Sequence, residues 1–264
     1  MKNSPYFKSV RLWVQGLLLL SLRWAELKTG FDPDTGLSRH SVPGILLAAA
    51  ILFCAAAELY LCFGIPGGKR TYLNCLEPMG RSHLLPMAAG SLLLCAGAAL
   101  LLPGGGVLTA AMLAAAAATA AGLILFVKLL REGAAPKAFP LLPAMIFSVL
   151  FLLAVYLPEE SNPVLARYYL PVLAASLAAC AFYQLAGLTC REGSLRWFVF
   201  WGDLAVPLCL ASMADCTESL GQVLIYFSLA LVLTQFLLTR RTEVLPEPEK
   251  APADAADEAE PAQD

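Results

Sequence analysis

Charge is scarce in this sequence, and histidine scarcer still. Of its 264 residues only 14% are Asp, Glu, Lys or Arg, whereas a water-soluble domain keeps nearer a quarter. The two histidines, His40 and His83, both fall where loops are expected. That excludes a haem held by two intramembrane histidines and an intramembrane zinc site of the HExxH type. The eight cysteines (Cys54, Cys62, Cys75, Cys95, Cys180, Cys190, Cys209 and Cys216) never come within four residues of one another. A zinc knuckle and a redox CxxC pair are therefore excluded, and the thiols read as small, polarizable packing groups between helices. No metal and no cofactor is expected.

Enzymatic motifs are missing as well. Phe200-Trp201-Gly202-Asp203 lacks the first glycine of the GxGD motif of intramembrane aspartyl proteases, and no second deep Asp accompanies it. Glu159-Glu160 begins like the EExxxR of CAAX-type proteases, but Val164 stands where the arginine belongs. In Gly64–Arg70 a P-loop fails twice: Phe63 replaces the first glycine and Arg70 the Ser or Thr that must hold Mg²⁺. With no readable nucleophile–base pairing, an enzyme is not expected.

What is abundant is apolar side chain: 59% of the residues, with a mean hydropathy of +0.69. Repeated runs of about 18 or more apolar residues are the mark of spanning helices. The fold class is an all-α, polytopic membrane bundle. Its spans are expected near 12–27, 44–63, 84–102, 107–130, 139–157, 164–188, 195–213 and 220–238, within a transmembrane domain over residues 1–241. The first is the short one. Lys2, Lys8 and Arg11 precede a Leu-rich core as in a signal peptide, but Arg23 and Trp24 occupy the cleavage region. Residues 12–27 span if Arg11 and Arg23 snorkel. The alternative is seven spans after an N-terminal interfacial helix.

Residues 29–44 carry Pro33, Gly36 and Pro43 and read as a loop. Asp32-x-Asp34-x-Gly36 lacks the further ligands of a calcium loop. The run LRWAELKTGFDPDTGL, residues 22–37, resembles one in uncharacterised multi-pass bacterial membrane proteins. That resemblance implies a membrane setting and no activity.

Basic and non-basic connections alternate from residue 64 onward. Lys69, Arg70 and Arg81 are followed by the uncharged PGGG at 103–106, then by Lys128, Arg131 and Lys137. Glu159 and Glu160 come next, then Arg191 and Arg196, Asp215 and Glu218, and finally Arg240 and Arg241. Positive loops stay inside, so both termini are expected in the cytoplasm and the cell (inner) membrane is the expected location. Residues 242–264 carry eight acids against Lys250 alone, which leaves 17 bases and 12 acids for the rest of the chain. This tail reads as a disordered, acidic cytoplasmic segment. The basic surplus reflects loop placement, and no nucleic acid is expected as a partner. Ala110, Ala114, Ala118 and Gly122 form a small-residue stripe expected to pack against another helix.

The expensive residue is Asp203, at the centre of the run Leu195–Met213. A carboxylate at the middle of a span costs about 2.5–3.5 kcal/mol on insertion scales. Pro207, four residues on, lacks an N–H and so frees the carbonyl of residue 203, which offers a second oxygen at the same depth. Oxygens at a broken helix are what ion-coupled transporters use. Glu58 is the second acid, expected either to snorkel toward Lys128 or Arg196 or to share a proton site with Asp203. Tyr183, Gln184 and Gln222 are candidate supporting hydrogen-bonders. Arg167, Tyr168 and Tyr169 read as an interfacial anchor. Two functions follow as expectations. One is a small ion- or proton-coupled permease handling a small solute or ion, with Asp203 as its coupling acid. The other is a non-catalytic membrane scaffold or assembly factor engaging a protein partner through its cytoplasmic loops or acidic tail.

Overall fold

The computed structural model describes residues 5–32, 41–65, 72–77, 79–104, 106–132, 137–159 and 168–241. The acidic tail, residues 33–40, the Lys69–Arg70 link and Arg167 lie outside them. The helices are α1 (Pro5–Thr29), α2 (Val42–Phe63), the single turn α3 (Tyr72–Cys75), α4 (Arg81–Leu101), α5 (Val107–Arg131), α6 (Leu142–Tyr156), α7 (Tyr169–Thr189), α8 (Leu195–Ser212) and α9 (Leu220–Leu238).

Six of these are long and apolar enough to cross a bilayer: α2, the Ser82–Leu101 part of α4, α5, α7, α8 and α9. The chain is an all-α, multi-pass membrane protein. α6 is apolar but only 15 residues long. α1 has the length, at 25 residues, and is less apolar because Lys8, Arg11, Arg23, Glu26 and Lys28 interrupt it. It starts seven residues before the expected segment, so Arg11 lies inside the helix and not in front of it.

The arrangement has a hub, α9. It packs against α4, α8, α1 and α7, and its aromatics reach two helices more. Phe236 meets Phe126 of α5 with ring centroids 6.1 Å apart, and Tyr226 meets Phe151 of α6 at 4.9 Å. The Tyr226 hydroxyl donates to the Pro171 carbonyl of α7 at 2.9 Å. Around this axis α4, α5, α6, α7, α8 and α1 follow as neighbours. α2 lies outside, against α1 and α8. It exposes Leu52, Phe53 and Tyr60, the surface that lipid solvates at no cost.

The tightest seam joins α4 to α9. His83, Gly90 and Gly97 recur every seven residues on α4 and face Gln235, Ser228 and Gly221, which recur every seven on the antiparallel α9. A seven-residue repeat keeps one seam facing its partner along the whole length. His83 Nδ1 and Gln235 Oε1 are 3.1 Å apart, and Ser228 Oγ donates to the Gly90 carbonyl at 2.6 Å. At Gly97 an added Cβ would come 2.7 Å from the Gly221 carbonyl oxygen. Only glycine permits this backbone approach.

The small-residue stripe of α5 behaves differently from the expectation. Ala110, Ala114 and Ala118 are exposed, and of the four only Gly122 is buried, beneath the Pro140 carbonyl. The buried face is instead Met112, Ala115, Ala116, Thr119, Leu123 and Phe126. Large residues fall on both sides of this helix: Val107, Ile124 and Leu125 are exposed while Met112, Leu123 and Phe126 are buried.

Candidate functional site

α1 and α8 run parallel. Arg11 meets Asp203, Gly16 packs on Leu210, and Arg23 meets Asp215, so residue numbers rise together along both helices. The two charge contacts join positions the same 192 apart. Twelve residues separate Arg11 from Arg23, about 18 Å along the axis. One helix pair is thus tied ionically at both ends: proximal, where α1 begins, and distal, where it stops.

At the proximal end Glu58 is 1% and Asp203 7% exposed. Arg11 lies between them. Its Nη2 donates to Glu58 Oε2 at 2.9 Å, lies 2.7 Å from Oε1, and lies 3.9 Å from Asp203 Oδ2. Arg240, two residues past α9, brings Nη1 to 4.0 Å from the same Asp203 oxygen. Two acids and two bases from α1, α2, α8 and the end of α9 therefore form one chain of alternating charge. Asp203 has the counter-charges that its burial requires. Glu58 does not reach Lys128, which pairs with Glu132 at 3.9 Å on the surface. Nor does it reach Arg196, which donates to the Ile65 carbonyl at 3.2 and 2.8 Å beyond the end of α2. Direct proton sharing between Glu58 and Asp203 is replaced by a guanidinium lying between them.

Gly202 packs on Leu237, the next-to-last residue of α9, so Asp203 lies level with the end of that helix. α2 runs on five residues past Glu58 to Phe63, whose ring faces the Arg196 guanidinium at 5.6 Å near the start of α8. The helix continues through Pro207 without a break, and Pro207 is itself buried. A void of about 10 Å³ beside Asp203, lined by Ser9, Leu12, Thr234, Leu237, Leu238 and Arg240, has room for a single water.

The expected supporting residues lie elsewhere. Tyr183 is 62% exposed. It lines, with Gln184, Cys190 and Glu192, a separate 330 Å³ cleft between α6 and α7. Gln184 Oε1 accepts from the Ser194 amide at 3.3 Å and so closes the α7–α8 hairpin, where Arg191 takes a φ of 62°. Gln222 lies in the first turn of α9, at the distal end. None of the three joins Asp203.

The distal cluster was not foreseen. Arg23 is 0% exposed. Its Nε donates to Asp215 Oδ1 at 2.8 Å and its Nη2 donates to the same oxygen, while Nη1 donates to Glu26 Oε2 at 2.6 Å. The guanidinium stacks over the Tyr169 ring of α7 at 5.3 Å. Asp215 follows α8 in the connecting turn, and its Oδ2 is buried without a hydrogen-bond partner. Burial pushes its carboxyl up to about 6, Arg23 opposing and Glu26 reinforcing the shift. The signal was present in the run LRWAELK: an Arg and a Glu three apart near the end of a span share one helix face.

Together these features define a multi-pass helical membrane protein with a charge cluster at each end of one parallel helix pair. Compared with known protein families, curated proteins and solved structures, the chain matches none.

Proposed function

We propose that the chain is a small ion- or proton-coupled permease of the cell (inner) membrane, moving a small solute or ion, with eight spans and both termini cytoplasmic. The topology rests on the charge alternation of the loops and on the parallel course of α1 and α8 over about 18 Å, which suits two helices that both run from inside to outside. The proximal cluster then lies at the cytoplasmic end.

The observation that carries the proposal is the Glu58–Arg11–Asp203–Arg240 chain. Ionisable groups inside a membrane bundle mark ion and proton pathways by default. Here they join four separate helices, so protonating Glu58 and Asp203 removes the charge that holds α1 to α2 and α8. The cluster acts as a latch and not as a cage of helix-end oxygens.

Proteoliposomes loaded with a pH-sensitive dye test this. The wild-type protein dissipates an imposed proton gradient faster than empty vesicles, alone or when small cations, amino acids or sugars are added. Asp203→Asn loses that flux while still inserting and folding. Wild-type vesicles that match empty ones across the whole set overturn the proposal.

A scaffold reading is favoured by one feature, the 10 Å³ void, which leaves little space for a passing solute. On that reading Asp203→Asn lowers thermal stability only, and a protein partner co-purifies through the cytoplasmic loops or the acidic tail.

A further inference from the structure

We propose that the distal cluster is a proton-binding site, with Asp215 Oδ2 as the atom that takes the proton. Two carboxylates, Glu26 and Asp215, share the single guanidinium of Arg23, so among these described groups one negative charge is left over. Both Arg23 contacts to Asp215 land on Oδ1, while Oδ2 is buried and makes no hydrogen bond among the described residues. The Asp215 side chain is only 6% exposed. A buried carboxylate oxygen that makes no hydrogen bond is strongly penalised while charged, and protonation relieves the penalty.

The other titratable groups facing Asp215 do not change this balance. Tyr169 on α7 lies over the guanidinium, Cys216 is the chain neighbour, and Tyr226 on α9 is buried and already donates to Pro171. Burial holds the Cys216 thiol up at about 12, so it stays neutral. A metal ion is a poor fit, because hard cations demand about six oxygen ligands and this site frees one. The ligand that fits a single free lone pair is a proton. Its site lies about 18 Å from the proximal cluster along α1 and operates whether or not the chain transports anything.

Infrared difference spectra of the protein in lipid nanodiscs, taken from mildly alkaline to mildly acidic pH, read this directly. A carboxylic-acid C=O band is expected with a midpoint near 6. Asp215→Asn removes it and Asp203→Asn retains it. Glu26→Gln keeps the band and moves its midpoint to lower pH, because the reinforcing negative charge is gone. A band that survives Asp215→Asn, or a midpoint that Glu26→Gln leaves in place, overturns the proposal. Loss of the band in Asp203→Asn alone overturns it too, since the proton then belongs to the proximal cluster.

Discussion

At the proximal end two carboxylates, Glu58 and Asp203, meet two guanidiniums, Arg11 and Arg240; at the distal end two carboxylates, Glu26 and Asp215, share the one guanidinium of Arg23. Both clusters tie α1 to α8. The proximal one balances its charge with long contacts, 3.9 and 4.0 Å at Asp203, and with an Arg11 side chain 32% exposed. The distal one is short-ranged and sealed; each end holds a buried carboxylate oxygen that makes no hydrogen bond, Asp215 Oδ2 and Glu58 Oε1, but Arg11 Nη2 lies 2.7 Å from the latter. Geometry makes the distal end the stronger tie, and charge count makes it the more pH-sensitive one. The proximal end is looser and closer to neutral.

The comparison can be broken most severely at Arg23. Arg23→Met strands the buried carboxylate of Asp215 and the half-buried one of Glu26, and losing one partner of a buried pair costs about 3–5 kcal/mol. Thermal unfolding in micelles is expected to show this loss, with much of it recovered when Glu26→Gln and Asp215→Asn are added.

The next effect is pH dependence. The folded-state value of Asp215, about 6, lies above its usual 3.8, so between those values the folded chain binds more protons than the unfolded chain. Asp215 therefore makes the protein lose stability as pH rises through that window, by up to about 3 kcal/mol, and adds no slope above it. Subtracting the Asp215→Asn profile from that of the wild type isolates the slope. A difference that rises with pH would contradict the assignment.

Arg11→Gln is expected to cost less than Arg23→Met, about 2 kcal/mol, because Asp203 keeps Arg240 and the lost side chain is partly solvated. A double-mutant cycle should couple Arg11 more strongly to Glu58 than to Asp203, as their distances require. Smallest of all, Arg240→Gln should cost under about 1 kcal/mol, as long and partly hydrated ion pairs do. If Arg240→Gln destabilises more than Arg11→Gln, the proximal chain has been ordered wrongly.

Much of the architecture was legible because hydropathy reports length directly: α2, α4, α5, α8 and α9 begin and end within a few residues of their apolar runs. The partners of the acids were not. Arg11 follows Lys2 and Lys8 and so looked like one more flanking cation, until α1 proved to start at Pro5 and carry it inside. Tyr183 and Gln184 share a helix with much of the core but lie on its outer side. On a helix whose faces are all apolar, polarity alone does not choose the inward one. The α5 alanines failed for the same reason, and the glycines of α4 and α9 succeeded in making close contact because their seven-residue spacings coincide.

The position of α9 has a consequence for synthesis. The helix that α1, α4, α5, α6, α7 and α8 all meet is made after every one of them. Chains fold from the N-terminus as they emerge, so α1 to α8 must enter the membrane around an axis that does not yet exist. Through that interval Arg11 has Glu58 for company 47 residues later and Arg23 has Glu26 three residues later, whereas the contact of Arg23 with Asp215 spans 192 residues. Nascent chains stalled before Leu220 are therefore the form in which this bundle is most exposed to degradation, and insertion of α9 is the step that closes it.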